Sequence, residues 1–292
     1  ANVRYLSDHW PIFETAGVIV PKEGEPILLI GPEAEPFARD RSKIKKIRKL
    51  LAYRESAEPE YPDIEVCTFG DIFDEISNGK GIHRLALGDY TILPMPVYDG
   101  VRKALGDKGE IIRAEWIIAE MRMIKSENEI ALMREAHQIS ELALEDTFKA
   151  IKPEMTEKEV VGILYDFMYR HGAECEAFPN YVFGGKKTRN AIGRATYDKL
   201  KEGELIQLCV GARFGGYASS VGRPVIFGKM PEEMRKRVQF GLDVHKKTFE
   251  WIRGGVEAKD IAIKFYDYYQ EHGYAQNYLY GPCHGTGIIE VE

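Results

Sequence analysis

The chain has 292 residues, 44% hydrophobic, 29% charged and 11% aromatic, the balance of a globular protein rather than a disordered, collagenous or disulfide-stapled one. Forty basic against 46 acidic residues leave a net charge of −6, which argues against a nucleic-acid surface, and no run of about 18 apolar residues is present to span a membrane. Four cysteines, Cys67, Cys175, Cys209 and Cys283, are far apart and form no CxxC, so they read as free thiols of a reducing cytoplasm.

The chain opens Ala1-Asn2-Val3-Arg4 with no basic-then-apolar leader, and residues 288–292 read as a strand in progress. An unpaired apolar strand is a poor stopping point, so further sequence is expected at both ends. Residues 17–21 and 27–30 predict a hairpin around Lys22-Glu23-Gly24-Glu25, and Pro36 stands where a helix can begin. The basic stretch 39–49 carries Ile44 and Ile47, followed by Leu50 and Leu51, at helical spacing and reads as a solvated helix face. Residues 64–69 and 84–88 add short strands, and helices are expected over 71–76 and 97–105. Residues 1–112 are thus expected to form a small α/β domain.

From residue 113 the helices lengthen, and 113–292 is expected to form a second, α+β domain. Ser126-Glu127-Asn128-Glu129 and Thr156-Glu157-Lys158-Glu159 are capping boxes, and the helix after the second carries Val160, Ile163, Leu164, Phe167 and Met168 on one face before Gly172 stops it. This unit has an echo: Ile151, Lys158, Tyr165, Asp166, His171 and Gly172 all recur 101 residues later without a gap. Two amphipathic helices ending alike by chance are one reading; the preferred one is an internal duplication into two similar halves, with a cleft between their sheets.

Leu205-Ile206-Gln207-Leu208-Cys209-Val210 is an apolar strand entering a hairpin whose return begins near Tyr217 and runs through Ser219-Ser220-Val221-Gly222-Arg223. With Arg122-Met123-Ile124-Lys125-Ser126, His284-Gly285-Thr286-Gly287 and the opening Asn2-Val3-Arg4-Tyr5-Leu6, these segments resemble the creatinase, prolidase and aminopeptidase P family, which has the pita-bread fold of the methionine aminopeptidase superfamily. The resemblance runs the length of the chain and implies a pseudo-twofold, curved antiparallel sheet with helices outside in the second domain. It also implies a homodimer, and a small-molecule or peptide substrate.

The family's peptidases hold two metal ions with two Asp, one His and two Glu, and the resemblance places Cys209 and Ser220 where the two Asp stand. The His is retained as His284; a further substrate-contacting His is Val291, and the Glu after it is Glu292. The two Glu ligands would fall beyond Glu292. A dinuclear centre needs anionic oxygen donors, and a neutral Ser220 cannot bridge two dications, so no metal is expected; one zinc on Cys209, His284 and a Glu stays chemically allowed. The catalytic His of creatinase, which works without metal, would fall at or beside Ile192, so that template is also incomplete. The residues left for catalysis are His284, Cys209 and Glu292, with Arg223, Ser220, Tyr217 and Cys283 around the substrate. Cys209 or Cys283 with His284 could form a thiol–imidazole pair, or Cys209 could be an inert strand residue. His137, His171, His245 and His272 are expected to be structural. The activity implied is hydrolysis of an amide or amidine C–N bond without the dinuclear centre; the alternative is an inactive relative that binds a peptide or protein in the cleft.

Overall fold

The computed structural model describes residues 1–55, 63–279 and 281–292. They divide into two compact units, Ala1–Ile124 and Lys125–Glu292, where the sequence placed the division after residue 112.

The first unit contains α1 (Asn2–Ser7), β1 (Gly17–Ile19), β2 (Ile27–Ile30), α2 (Glu35–Arg41), β3 (Ile47–Lys49), α3 (Phe69–Ser77), β4 (Arg84–Leu87), α4 (Met95–Leu105), β5 (Glu110–Arg113) and α5 (Glu115–Met123). The hairpin β1–β2 forms as expected, and β3 adds parallel to β2. β2 is buried throughout because apolar clusters cover both its faces, which is why it reads as an unbroken Ile-Leu-Leu-Ile run. Two expectations fail here. The helix expected through residue 49 stops at Arg41, because buried Ser42 turns the chain through its hydroxyl, which contacts both backbone groups of Ile44, and residues 47–49 then pair with β2. Residues 64–67 form no strand; Thr68 instead caps α3 in a box with Asp71.

The second unit contains α6 (Glu127–Ala150), α7 (Glu157–Arg170), β6 (Cys175–Glu176), β7 (Tyr181–Gly184), β8 (Leu205–Val210), β9 (Ala212–Phe214), β10 (Tyr217–Ala218), β11 (Val221–Ile226), α8 (Glu232–Trp251) and α9 (Ala258–Glu271). Both capping boxes are made, Ser126 with Glu129 and Thr156 with Glu159. The antiparallel order β11-β8-β7 forms one sheet and β10-β9-β6 a second. Along β8 the buried residues are Ile206, Leu208 and Val210, which join Ala143, Leu144, Val160, Leu164 and Met168 of α6 and α7 in one core. By strand alternation Leu205, Gln207 and Cys209 turn to the opposite face.

The echo seen in the sequence is also an echo in backbone geometry. α7 and α9 are both 14 residues long and start 101 residues apart. Buried Thr147 donates to the Ala143 carbonyl at 2.7 Å near the end of α6, and buried Thr248 to that of Val244 at 2.9 Å near the end of α8. His171 and His272 close α7 and α9, each followed by a glycine at positive φ, Gly172 at 97° and Gly273 at 76°. The next amides then bond back to equivalent carbonyls, Ala173 to Met168 and Tyr274 to Tyr269. Identical terminations at a constant offset follow from repeated sequence, since capping is set by a few local residues. The first pair of helices packs on the β8 sheet. The second is held together by rings, with Phe240 of α8 against Tyr268, Tyr269, His272 and Tyr274.

Candidate functional site

The hairpin that carries Ser220 is fixed from beneath. Buried Ser140 of α6 and Ser219 share a hydrogen bond of 2.8 Å, and both hydroxyls accept from the Ala212 amide at 2.9 Å. With Ser219 committed to the helix side, the exposed Ser220 turns away from it.

Residues 284–292 form a closed loop and not the strand expected at 288–292. The Glu292 amide donates to the Gly285 carbonyl at 2.9 Å, the Gly287 amide to Ile289, and the Ile288 amide to the Glu292 carboxylate at 2.7 Å. A side chain on Gly287 would meet that carboxylate, so glycine is needed there. The loop is tied to the hairpin by the Ala218 amide on Gly287 and by Arg213 on the Ile288 carbonyl, and to the start of α6 by Lys125, whose ammonium lies 2.8 Å from Glu292.

This closure brings Glu290 over the hairpin. Ser220 Oγ donates to Glu290 Oε1 at 2.9 Å, and His284 Nε2 lies 3.4 Å from the same oxygen. The other ring nitrogen, Nδ1, is 2.8 Å from the Gly285 carbonyl, so it carries a proton as donor and Nε2 faces the carboxylate. Sequence reasoning named Ser220 and His284 but missed Glu290. Its only signal there is a place six residues after His284, on a stretch read as strand.

The other named residues are placed differently. Cys209 is on the sheet face away from the core, opposite Tyr181 and Gly222, and its sulfur accepts from Gln207 Nε2 at 3.5 Å; it makes no hydrogen bond with His284. Arg223 is opposite Leu208 and therefore on the helix face, 3.7 Å from Glu141 of α6. The Tyr217 hydroxyl donates to Glu129 at 2.6 Å. The Glu292 carboxylate is held by Lys125 and the Ile288 amide, and Cys283 is exposed. Ile192 lies exposed on the segment after β7. Among the helix-borne histidines, His171 pairs with Asp146 at 2.8 Å and His137 with the Met133 carbonyl.

Residues 131–292 match the model of metallopeptidase family M24. The chain belongs to that family. The Xaa-Pro dipeptidase of Pyrococcus horikoshii is 26% identical over 290 residues, spanning 98% of this chain and 75% of its own length. An uncharacterized peptidase of Methanocaldococcus jannaschii is 30% identical over 291 residues, spanning 98% and 72%. The crystal structure of the prolidase from Pyrococcus horikoshii aligns over all of this chain and 77% of its own, with a TM-score of 0.84 at 23% identity. The X-Pro aminopeptidase of Thermotoga maritima gives 0.78 at 24%, over the same shares. The fold of the chain is the pita-bread M24 fold, as the resemblance implied.

In this M24 chain the two hairpin positions for metal-binding carboxylates are a thiol and a hydroxyl. Among the described residues, no three of His, Cys, Asp and Glu stand together as a metal-holding group. A thiol and a hydroxyl at those two positions supply neither the charged oxygen ligands nor the bridging carboxylate that a dinuclear centre uses.

Proposed function

We propose that this M24 chain is a peptidase-like hydrolase of an amide or amidine C–N bond that works without a dinuclear metal centre. The observation that carries the reading is the contact of Ser220, Glu290 and His284 at two positions where the family holds metal ligands. Ser220 Oγ attacks the carbonyl carbon as its proton passes to Glu290 Oε1. Protonated Nε2 of His284 gives its proton to the departing nitrogen, leaving an acyl group on Ser220. Water then attacks the ester, losing a proton to His284, while Ser220 leaves with the proton held by Glu290. The Xaa-Pro dipeptidase relatives support peptides as the substrate class.

The test uses a fluorophosphonate, on which Ser220 would displace fluoride, beside hydrolysis of Xaa-Pro dipeptides and small amides in the presence of EDTA. An adduct mapped to Ser220, with hydrolysis that survives EDTA, is the expected result. Glu290→Gln should slow both by about a hundredfold, the smaller end of what a positioned base contributes. Hydrolysis that needs added metal, without an adduct, would overturn the mechanism. Neither hydrolysis nor adduct would leave the cleft a peptide-binding module.

A further inference from the structure

Resting on that hydrolase reading, we infer that the stretch from Lys125 to Glu129 positions the Ser220–Glu290–His284 contact, with Lys125 steering the loop that carries Glu290 and Glu129 the hairpin that carries Ser220. Two carboxylates divide their oxygens in the same way. Glu129 Oε2 accepts from the Ser126 amide at 2.7 Å and from its hydroxyl at 2.8 Å, closing the cap of α6, while Oε1 accepts from the Tyr217 hydroxyl at 2.6 Å. Glu292 Oε1 accepts from the Ile288 amide at 2.7 Å, closing its own loop, while Oε2 accepts from Lys125 Nζ at 2.8 Å. Each carboxylate therefore ties a local turn to a distant segment. Tyr217 stands three residues before Ser220, and Glu292 two after Glu290.

The two arms also meet at their far ends. The Ala218 amide donates to the Gly287 carbonyl at 2.7 Å, and the Arg213 guanidinium donates to the carbonyls of Gly216 and Ile288. Hairpin, loop and the start of α6 thus form a closed circuit of hydrogen bonds and short stretches of chain, and the 2.9 Å contact of Ser220 with Glu290 spans it. The circuit is shielded: Tyr217 is 7% exposed, and the side chains of Lys125 and Glu292 are 15% and 10% exposed. An ion pair covered to that degree is weakened little by salt. Burial works against the charge of Glu129, but the Tyr217 hydroxyl and the Ser126 groups outweigh it and hold the pKa below the ordinary glutamate value. At neutral pH its bonds are therefore of the strong, charge-assisted kind. Acid–base groups work when held within about 0.5 Å of their productive geometry, and a shift of about 1 Å can cost a hundredfold in rate. Tyr217 and Glu292, expected from the sequence to act on substrate, are positioning residues in this arrangement.

The experiment follows the ring signals of His284 by carbon-edited proton NMR, assigned by their loss in His284→Ala, beside the rate of fluorophosphonate addition at Ser220. Glu292→Gln, Lys125→Met and Tyr217→Phe are each expected to move the His284 signals in the direction that Glu290→Gln moves them. Each should also lower the saturating rate of addition at least about tenfold, with the half-saturating concentration changed less than about twofold, because the circuit holds the reacting groups and not the probe. Lys125→Arg, which keeps the charge, should retain both. Urea midpoints at neutral pH check that each variant is folded; Glu292→Gln, which keeps an acceptor for the Ile288 amide, carries the test if Lys125→Met does not fold. His284 signals left in place by Glu292→Gln or by Tyr217→Phe overturn the inference, and so does a Lys125→Arg variant as impaired as Lys125→Met. Signals that move as expected in a chain that never forms the adduct remove the hydrolase and leave the positioning. An adduct formed at full rate with the circuit cut removes the positioning and leaves the hydrolase.

Discussion

Cys209 and His9 are both decided by what surrounds them. Cys209 is on the open face of its strand, and its hydrogen-bond partner is Gln207 and not an imidazole. Burial pushes the thiols of Cys67 and Cys175 above the ordinary cysteine value, and Cys283 is exposed. Iodoacetamide at neutral pH should therefore label Cys283 first and Cys67 and Cys175 last, with the rate at Cys209 unchanged by His284→Ala. Slower labelling of Cys209 in that variant would restore the thiol–imidazole pair. In the first unit His9 is fully buried against Phe37, and neither ring nitrogen finds a hydrogen-bond partner among the described residues. Desolvation, with the Arg4 charge adding to it and Glu14 opposing, holds its pKa below the ordinary value. The unfolded chain then takes up the proton first as pH falls, so stability is present above about pH 6.5 and is lost below it. Urea midpoints should drop from neutral to mildly acidic pH in the unaltered chain and stay flat in His9→Leu.

At the scale of elements, Glu157 links α7 to β7 and to the segment that follows it. This carboxylate, 1% exposed, accepts from the Gly184 amide at 2.9 Å, from both the amide and hydroxyl of Thr196, and from Lys187. Burial works against its charge, but Lys187 and the amides outweigh burial and hold the pKa below the ordinary glutamate value. Its contribution is complete above about pH 4.3 and is lost as pH falls through the lower folded value. Glu157→Ala should cost about 3 kcal/mol in urea unfolding at neutral pH, since Lys187 and two amides lose a partner, and the cost should shrink in acid. A pH-independent loss would point to packing alone. What the sequence disclosed about elements divides along this same line. Capping boxes, the α7 face and the 101-residue echo were legible because each is written in residues a few positions apart. The end of α2 and the fate of residues 64–67 were not, because β3 depends on a pairing with β2 that no local pattern announces. Ser220 and His284 stand in motifs that the sequence displays, whereas Glu290 joins them only through the closure of its loop and the face of Arg223 is set by strand register.

For the whole molecule, the duplication and the altered hairpin meet in one question of charge. The family's architecture is present, but the donors at its hairpin are Cys209 and Ser220, and transition-metal sites of this type depend on ligand charge. Purified chain should carry fewer than about one equivalent of transition metal, and Cys209→Asp combined with Ser220→Asp should raise that number. Elemental analysis finding two equivalents of Mn, Co or Zn in the unaltered chain would sink this expectation. Among the described residues, no helix is long and apolar enough to cross a membrane.

The loop that carries Glu290 also has a consequence for the order in which the molecule folds. Ser220 and Glu290 are 70 residues apart in the chain, and Lys125 and Glu292 are 167 apart. The capping boxes and the ring cluster of α8 and α9 close over far shorter stretches. Loop-closure entropy must be met before distant contacts return anything, so local helices form early and long-range pairings late. The Ser220–Glu290–His284 contact is then among the last features to assemble, and a chain released from synthesis would gain its helices before it gained that contact.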